Sequence, residues 1–236
     1  PYTTILRSDP DGLNVVDLTP GLGGTNCIAR WSPDGSQIVF QHSPVSPYAA
    51  NACEGPFGLW LVDADGANLH PLVEATAGPP TPSFSPDGSR VVYNGLGGLS
   101  VVNADGTNPH VIAGPGRAAW HADWSPDGTT LAATLWRPDT HEGETGYWHQ
   151  IVVFDPDGNN PRVVFERFMA SDVPYPAQDM AGPKNPRWSP LGDRLLFAGV
   201  GILGTEGHDL YLPFPGPIGP DGCYTCVLRQ SELYLV

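Results

Sequence analysis

Apolar residues along this chain come in short bursts separated by polar punctuation. Gln37-Ile38-Val39-Phe40, Leu59-Trp60-Leu61-Val62, Arg90-Val91-Val92-Tyr93, Ser100-Val101-Val102 and Gln150-Ile151-Val152-Val153-Phe154 are the clearest bursts. Each has the length and β-branched content of a strand and is too short for a helix. Two polar signatures alternate between them. Trp31-Ser32-Pro33-Asp34-Gly35 recurs as Phe84-Ser85-Pro86-Asp87-Gly88, as Trp124-Ser125-Pro126-Asp127-Gly128 and, degraded, as Trp188-Ser189-Pro190-Leu191-Gly192. The second series is Asp9-Pro10-Asp11-Gly12, Asp63-Ala64-Asp65-Gly66, Asn103-Ala104-Asp105-Gly106, Asp155-Pro156-Asp157-Gly158 and, weakest, Gly219-Pro220-Asp221-Gly222. Two interleaved series over the whole length mark an internal repeat.

Each signature is a turn with a mechanism. In Ser-Pro-Asp-Gly, proline presets φ for the first central position, aspartate tolerates the second, and glycine takes the left-handed position after them. One unit therefore reads strand A, Ser-Pro-Asp-Gly turn, strand B, variable loop, strand C, Asp-x-Asp-Gly turn, strand D. Four short antiparallel strands in ~40 residues make a propeller blade, so the predicted fold is an all-β propeller of four-stranded antiparallel blades. The aromatics Trp31, Phe84, Trp124 and Trp188 are expected to pack between neighbouring blades.

The Trp/Phe-Ser-Pro-Asp-Gly run, an apolar strand, and then Leu59-Trp60-Leu61-Val62-Asp63-Ala64-Asp65-Gly66-Ala67-Asn68 resemble the TolB-like β-propeller repeat. That repeat is also found in propeller domains of prolyl-oligopeptidase-type proteins and in oligogalacturonate lyases. The resemblance runs from about Ile5 to Leu228. It implies the fold and carries little about activity, because fold does not fix function. The chain reads as a single propeller domain, residues 1–236, with blades at about 26–74, 79–113, 119–166 and 184–229. Residues 1–18 and 231–236 are expected to share a closing blade, which gives five blades. The alternatives are six blades, or an incomplete ring completed by another chain.

Composition narrows the classes. Gly (29) and Pro (27) are abundant, yet 7 Trp, 8 Tyr, 8 Phe and 40% apolar residues argue against disorder. Lys plus Arg number 11 against 25 Asp plus Glu, a formal charge of −14. That sign argues against nucleic-acid and anionic-membrane partners. No apolar stretch approaches the ~20 residues of a membrane helix.

The A–B and C–D turns fall at one end of every blade and are stereotyped. The B–C and D–A connections vary, and sites concentrate on variable loops held by a rigid frame. Candidate ligand-binding residues at that end are His42 and Tyr48 in a 41–58 insertion, and Trp120 and His121 ahead of the third Ser-Pro-Asp-Gly turn. His141, Tyr147 and Trp148 lie in a 136–148 insertion, Tyr175, Gln178 and Asp179 in a 167–185 insertion, and His208 in 201–208. Mixed aromatic, acidic and imidazole groups suit a peptide, a protein or a glycan. No cofactor is expected. The alternative is a divalent metal in the central channel, held by His121, His141 and His208, as the resemblance to oligogalacturonate lyases implies. The Asp-x-Asp-Gly carboxylates read as turn formers rather than calcium ligands, since no bidentate Glu follows at the required spacing. No Gly-x-Ser-x-Gly elbow occurs.

Cys27 and Cys53 fall at the same end and are expected to form a disulfide worth ~3 kcal/mol on loop-entropy grounds. Cys223 and Cys226 are expected to form a local one. With the start at Pro1, these suggest a processed protein of the periplasm or the secreted compartment. The favoured function is a non-catalytic binding or interaction module. The alternatives are a metal-assisted polysaccharide lyase or hydrolase, and a structural subunit that self-associates as a homo-oligomer.

Overall fold

The structure, a computed structural model, describes residues 2–45, 56–76, 80–95, 98–113, 118–170 and 183–198. The regular elements among these residues are all strands. β1 (Leu6–Arg7) and β2 (Val16–Asp17) form an antiparallel pair. β3 (Thr25–Trp31), β4 (Gln37–Ser43), β5 (Phe57–Asp63) and β6 (His70–Thr76) form a four-stranded antiparallel meander, blade one. β7 (Ser83–Phe84), β8 (Arg90–Gly95), β9 (Gly98–Asn103) and β10 (His110–Ala113) form blade two in the same order. β11 (Ala118–Trp124), β12 (Leu131–His141), β13 (Glu144–Phe154) and β14 (Arg162–Ala170) form blade three. β15 (Lys184–Trp188) and β16 (Leu195–Ala198) pair as the A and B strands of a further unit.

The apolar bursts lack strict alternation because the central strands are buried on both faces. On β4, Ile38 and Phe40 pack with Ile5, Leu18 and Val62 on the side of the β1–β2 pair. Val39, between them, points the other way, into a cluster with Leu59, Leu61, Leu72, Phe84, Val91, Tyr93 and Val102 of blades one and two. β8 repeats the arrangement, with Val91 and Tyr93 facing blade one while Val92 joins Leu99, Val101, Trp124, Leu131 and Leu135 towards blade three. Each boundary between blades is thus a separate layer of core.

The predicted turns form, and their chemistry explains their recurrence. Asp34 Oδ1 accepts from Ser32 Oγ at 2.6 Å, Ser36 Oγ at 2.8 Å and the Ser36 N–H at 3.0 Å. Asp87 does the same with Ser85 and Ser89, and Asp127 with Ser125 and the Thr129 N–H. Each turn serine in addition accepts the N–H of the residue five positions on, Gln37, Arg90 or Thr130, at 2.9 Å in all three. The degraded fourth turn keeps the clamp by another route. Leu191 stands where the aspartate should be, and Ser189 Oγ instead donates to Asp193 at 2.7 Å. Within a blade the two turns are tied together. The Ala64 N–H donates to Ser36 O, and the Ala104 N–H to Ser89 O, both at 2.8 Å. Blade three has Pro156 at this position and so has no donor there. In the second turn series, Asn14, Asn68, Asn108 and Asn160 all take left-handed φ between 51° and 54°. Their amides at 14, 68 and 160 close back on Asp9, Asp63 and Asp155.

One expectation about packing is corrected. Phe84 and Trp124 are inter-blade residues, 7% and 5% exposed, and Trp188 is half-buried. Trp124 donates Nε1–H to Ser83 O at 3.2 Å and carries the Arg90 guanidinium 4.9 Å from its ring centre. Trp31, in contrast, is 52% exposed. The preceding unit supplies only the β1–β2 pair among the described residues; Ile5 and Leu18 beside it pack on Ile38, Phe40 and Val62, and Thr3 is hydrogen-bonded to Asn26 on β3.

The turn carboxylates make stability acid-sensitive. Serine hydroxyl and backbone N–H donors hold Asp34 and Asp87 down at about 2, and the same donors lower Asp127. A carboxyl whose folded pKa is depressed contributes stability above its unfolded value of about 4 and loses it as pH falls through the folded value. Thermal unfolding is therefore expected to show Tm falling between about pH 4 and about pH 2. The triple variant Asp34→Asn, Asp87→Asn, Asp127→Asn should be less stable at pH 7 and show a flatter decline over that window. A parallel decline in both proteins would remove these carboxylates from the explanation.

Candidate functional site

The two ends of the blades differ in kind. The turn end is crowded with carboxylates whose hydrogen bonds are directed back into their own turns. A shallow cavity of about 360 Å³ on that end is lined by Ser125, Pro126, Asp127, Thr130, Trp188, Leu191 and Gly192, which are turn residues and the aromatic that packs on them. At the opposite end, blade three rises as a tongue. The segment 136–148, expected as a loop insertion, continues β12 and β13 in unbroken register from Leu131↔Phe154 to His141↔Glu144. Glu142 and Gly143, at φ 52° and 87°, join the strands through the two-residue turn whose twist suits a hairpin.

The pleat sorts the tongue's side chains. One face presents Arg137, Asp139, His141, Trp148 and Phe168, brought together by the pairings Arg137↔Trp148 and Trp148↔Phe168. The rings of His141, Trp148 and Phe168 form a mutual cluster with centroids 5.0, 5.2 and 5.4 Å apart. Such offset and edge contacts keep aromatic rings in place while leaving part of their surface open. Beside them Arg137 Nη1 bonds Asp139 Oδ2 at 2.7 Å, with the two side chains 40% and 37% exposed. The Thr140 N–H, followed by the Arg137 charge, holds the Asp139 carboxyl below the ordinary range. Lower on this face Gln150 Nε2 donates to Glu166 at 2.7 Å. The opposite face shows Tyr147, 39% exposed, and Trp136 stacked at 4.9 Å on the buried His149. Gly146 is the tongue's tight point, since a Cβ there would lie 2.1 Å from Met169 O and 2.8 Å from the Phe168 ring.

The other expected site residues fall elsewhere. His42 is in β4 rather than in a loop, and it is buried. Its Nδ1 meets Asn26 Oδ1 at 2.8 Å, its ring stands edge-on to Trp60 at 4.9 Å, and burial pushes its pKa down. Its environment is that of a packed core histidine. Trp120 belongs to β11, though its side chain lies outside the described residues. His121 sits at a bulge in the same strand, half-buried, with φ 49°. Ile28 and Asn185 occupy the same bulge in β3 and β15 with φ 53° and 55°. The bulge is therefore a property of the repeat and not of His121 alone. Tyr48, Cys53, Tyr175, Gln178, Asp179, His208, Cys223 and Cys226 lie outside the described residues. Cys27 is on β3 opposite Gln41. Among the described residues no group of three or more His, Cys, Asp and Glu side chains is placed to hold a metal ion.

Sequence reading missed two features. Phe168 completes the aromatic cluster, and only the β13–β14 register reveals it. The residues just before the repeat aromatics meet where the inner strands adjoin. Asp123 accepts from Arg187 Nη1 at 3.2 Å and from the Trp188 N–H at 3.0 Å, linking β11 to β15. Arg30, on β3, is lowered by burial and by the Arg187 charge, against which Asp123 acts. Reading one column of the repeat, Arg30, Ser83, Asp123 and Arg187, would have exposed this charged group.

The tongue depends on Gly146. Replacing it with Ala drives a methyl into the Met169 carbonyl, and such overpacking should cost roughly 1–3 kcal/mol. Gly143→Ala meets nothing within 4 Å and strains only its φ of 87°, a cost of about 1 kcal/mol. Denaturant unfolding of both variants checks the order, with Gly146→Ala expected to be the more damaging. An equal or reversed order would mean that the β13–β14 register is not as described.

Comparison with known proteins bears on the fold. No protein-family model matches the chain, and no curated protein does. Solved structures do match. A putative TolB from Agrobacterium tumefaciens is 20% identical with a TM-score of 0.51, over 83% of this chain and 76% of that one. TolB from Acinetobacter baumannii is 15% identical with a TM-score of 0.57, over 84% of this chain and 43% of that one. An oligogalacturonate lyase in complex with manganese is 17% identical with a TM-score of 0.59, over 84% of this chain and 54% of that one. The chain thus spans about half the length of the last two. At these identities the likeness speaks for architecture alone, and with the four-stranded meanders it establishes the fold as a β-propeller.

Proposed function

We propose that this chain is a non-catalytic binding module that recognises a peptide, protein or glycan through the tongue end of blade three. The observation that carries the reading is the His141–Trp148–Phe168 ring cluster beside the Arg137–Asp139 pair, all on one face of a rigid hairpin. Partly exposed rings supply flat apolar contact, and the ion pair supplies a donor and an acceptor at fixed positions. The turn end offers no comparable surface, because its carboxylates are engaged within their own turns. A periplasmic or secreted location accords with this reading, and there Cys27 with Cys53 and Cys223 with Cys226 would be expected to pair. Among the described residues no helix is long and apolar enough to cross a membrane.

Screening the protein on peptide and glycan arrays, followed by titration of the best ligand, tests the proposal. The double variant His141→Ala, Trp148→Ala should bind at least about 30-fold more weakly, the scale of a central aromatic contact, with its unfolding transition retained. Unchanged affinity in a folded variant would move the site elsewhere. A second reading, a polysaccharide lyase using a divalent metal, is favoured by the likeness to the manganese-bound lyase. It requires His208 beside His121 and His141. Elemental analysis of purified protein decides it: stoichiometric metal, lost in His121→Ala, would support this reading, and polygalacturonate cleavage by metal-stripped protein would exclude it.

A further inference from the structure

We propose that the ring face of the tongue takes a neutral oligosaccharide, with a sugar ring lying on Trp148 and its hydroxyls meeting Arg137 and Asp139. This names the ligand class of the binding face proposed above and rests on that reading. The core beneath fixes which way the face looks. Leu131, Ala133, Leu135 and Val152 pack with Val92, Leu99 and Val101 of blade two. The pleat puts Arg137, Asp139, His141 and Trp148 on that same side. Counted from the turn serines Ser85 and Ser125, Gly95 and Leu135 are equivalent. β8 ends at Gly95, paired with Gly98, whereas β12 runs on to His141. The ring face therefore rises past the end of the β8–β9 pair, as the wall of a step above blade two.

The groups on this wall suit a ligand made of hydroxyls and a flat C–H surface. His141 and Phe168 stand at 66° and 63° to the half-buried Trp148 and hold the indole without a parallel ring stacked on it. Arg137 Nη1 is engaged with Asp139, which leaves the other N–H groups of the guanidinium as donors. Asp139 keeps acceptor capacity after meeting Arg137 and the Thr140 N–H. One rung below the rings, about 7 Å along the strands, Gln150 and Glu166 make a second donor–acceptor pair at 2.7 Å. A hydroxyl both donates and accepts, so mixed pairs of this kind serve it from either side. Other ligand classes fit less well. Asp139, Glu144 and Glu166 stand against Arg137 on this face, a balance that repels carboxylated or sulfated sugars. A cation would compete with Arg137 for Asp139, and Glu166 has one oxygen taken by Gln150. A peptide added as a strand would need the edge of β12 beyond Trp136, where the pairing with β11 stops, and Pro138 in that edge has no N–H to give.

Calorimetric titration with cellohexaose, xylohexaose, mannohexaose and maltohexaose tests the proposal. Hexagalacturonate serves as the anionic probe, the glucosamine hexamer as the cationic one, and a pool of unstructured peptides as the third comparison. At least one neutral hexaose should bind about tenfold or more tightly than every charged probe and the peptide pool, and should shield Trp148 from acrylamide. The Trp148 signal is taken as the difference from the Trp148→Phe variant. Asp139→Asn, which keeps the shape of the side chain, should weaken that binding about tenfold with the unfolding transition retained. A charged hexamer or a peptide that shields Trp148 in place of the neutral sugars would overturn the proposal and leave the tongue as the binding face. A neutral hexaose that binds without shielding Trp148 would overturn both readings. No binding of any neutral hexaose at millimolar concentration would overturn the proposal, as would a Trp148 already shielded in the ligand-free protein, because the chain's own residues would then fill the step.

Discussion

β4, β5, β8 and β9 carry large apolar side chains on both faces, so each needs a packed layer on either side. Ile38 and Phe40 look one way and Val39 the other; Val91 and Tyr93 look back while Val92 looks on. Exposing either side would leave several fully buried residues in water, at ~1.5–3 kcal/mol for each side chain. A single blade is therefore not a stable object, and the stacking direction follows from the pleat. Among the described residues the β1–β2 unit covers one side of blade one through Ile5 and Leu18, and Trp31 stays exposed beside it.

Turn chemistry makes that stacking reproducible. The aspartate clamp fixes the geometry of each A–B hairpin, and the Ala64 and Ala104 amides lock the neighbouring turn to it. Because these groups satisfy one another, the end that carries much of the negative charge is rigid and chemically occupied. Freedom to vary is left at the opposite end, where the chain spends extra residues on the tongue. The tongue can extend beyond the core because its ladder satisfies its own backbone, and because Phe168 lies over Gly146 to give it a small aromatic core.

How much of this was legible in the sequence depended on how local the cause was. The turns were readable because proline, aspartate and glycine act within five residues of one another, and the strands because β-branched bursts lie between those turns. The tongue was not. Arg137-Pro138-Asp139-Thr140-His141 has no apolar alternation and contains a proline, so it looked like a loop, yet cross-strand pairing with Tyr147 and Trp148 holds it extended. His42 looked like a rim residue because the insertion seemed to start at Gln41; the strand runs on to Ser43, and Asn26 on the next strand satisfies the imidazole. The fourth turn looked degraded because its carboxylate had moved two positions, to Asp193. Trp31 could not be told from Trp124 by sequence, because the difference lies in what each meets.

Native-state hydrogen exchange measures the central point, that blades stabilise one another through shared layers. Amides of β4, β5, β8 and β9 and the tongue base, 131–135 and 150–154, should exchange together through one global opening, while amides near Glu142 and Gly143 exchange earlier by local fraying. Blades that open independently, each with its own free energy, or a tongue tip as protected as its base, would contradict the account.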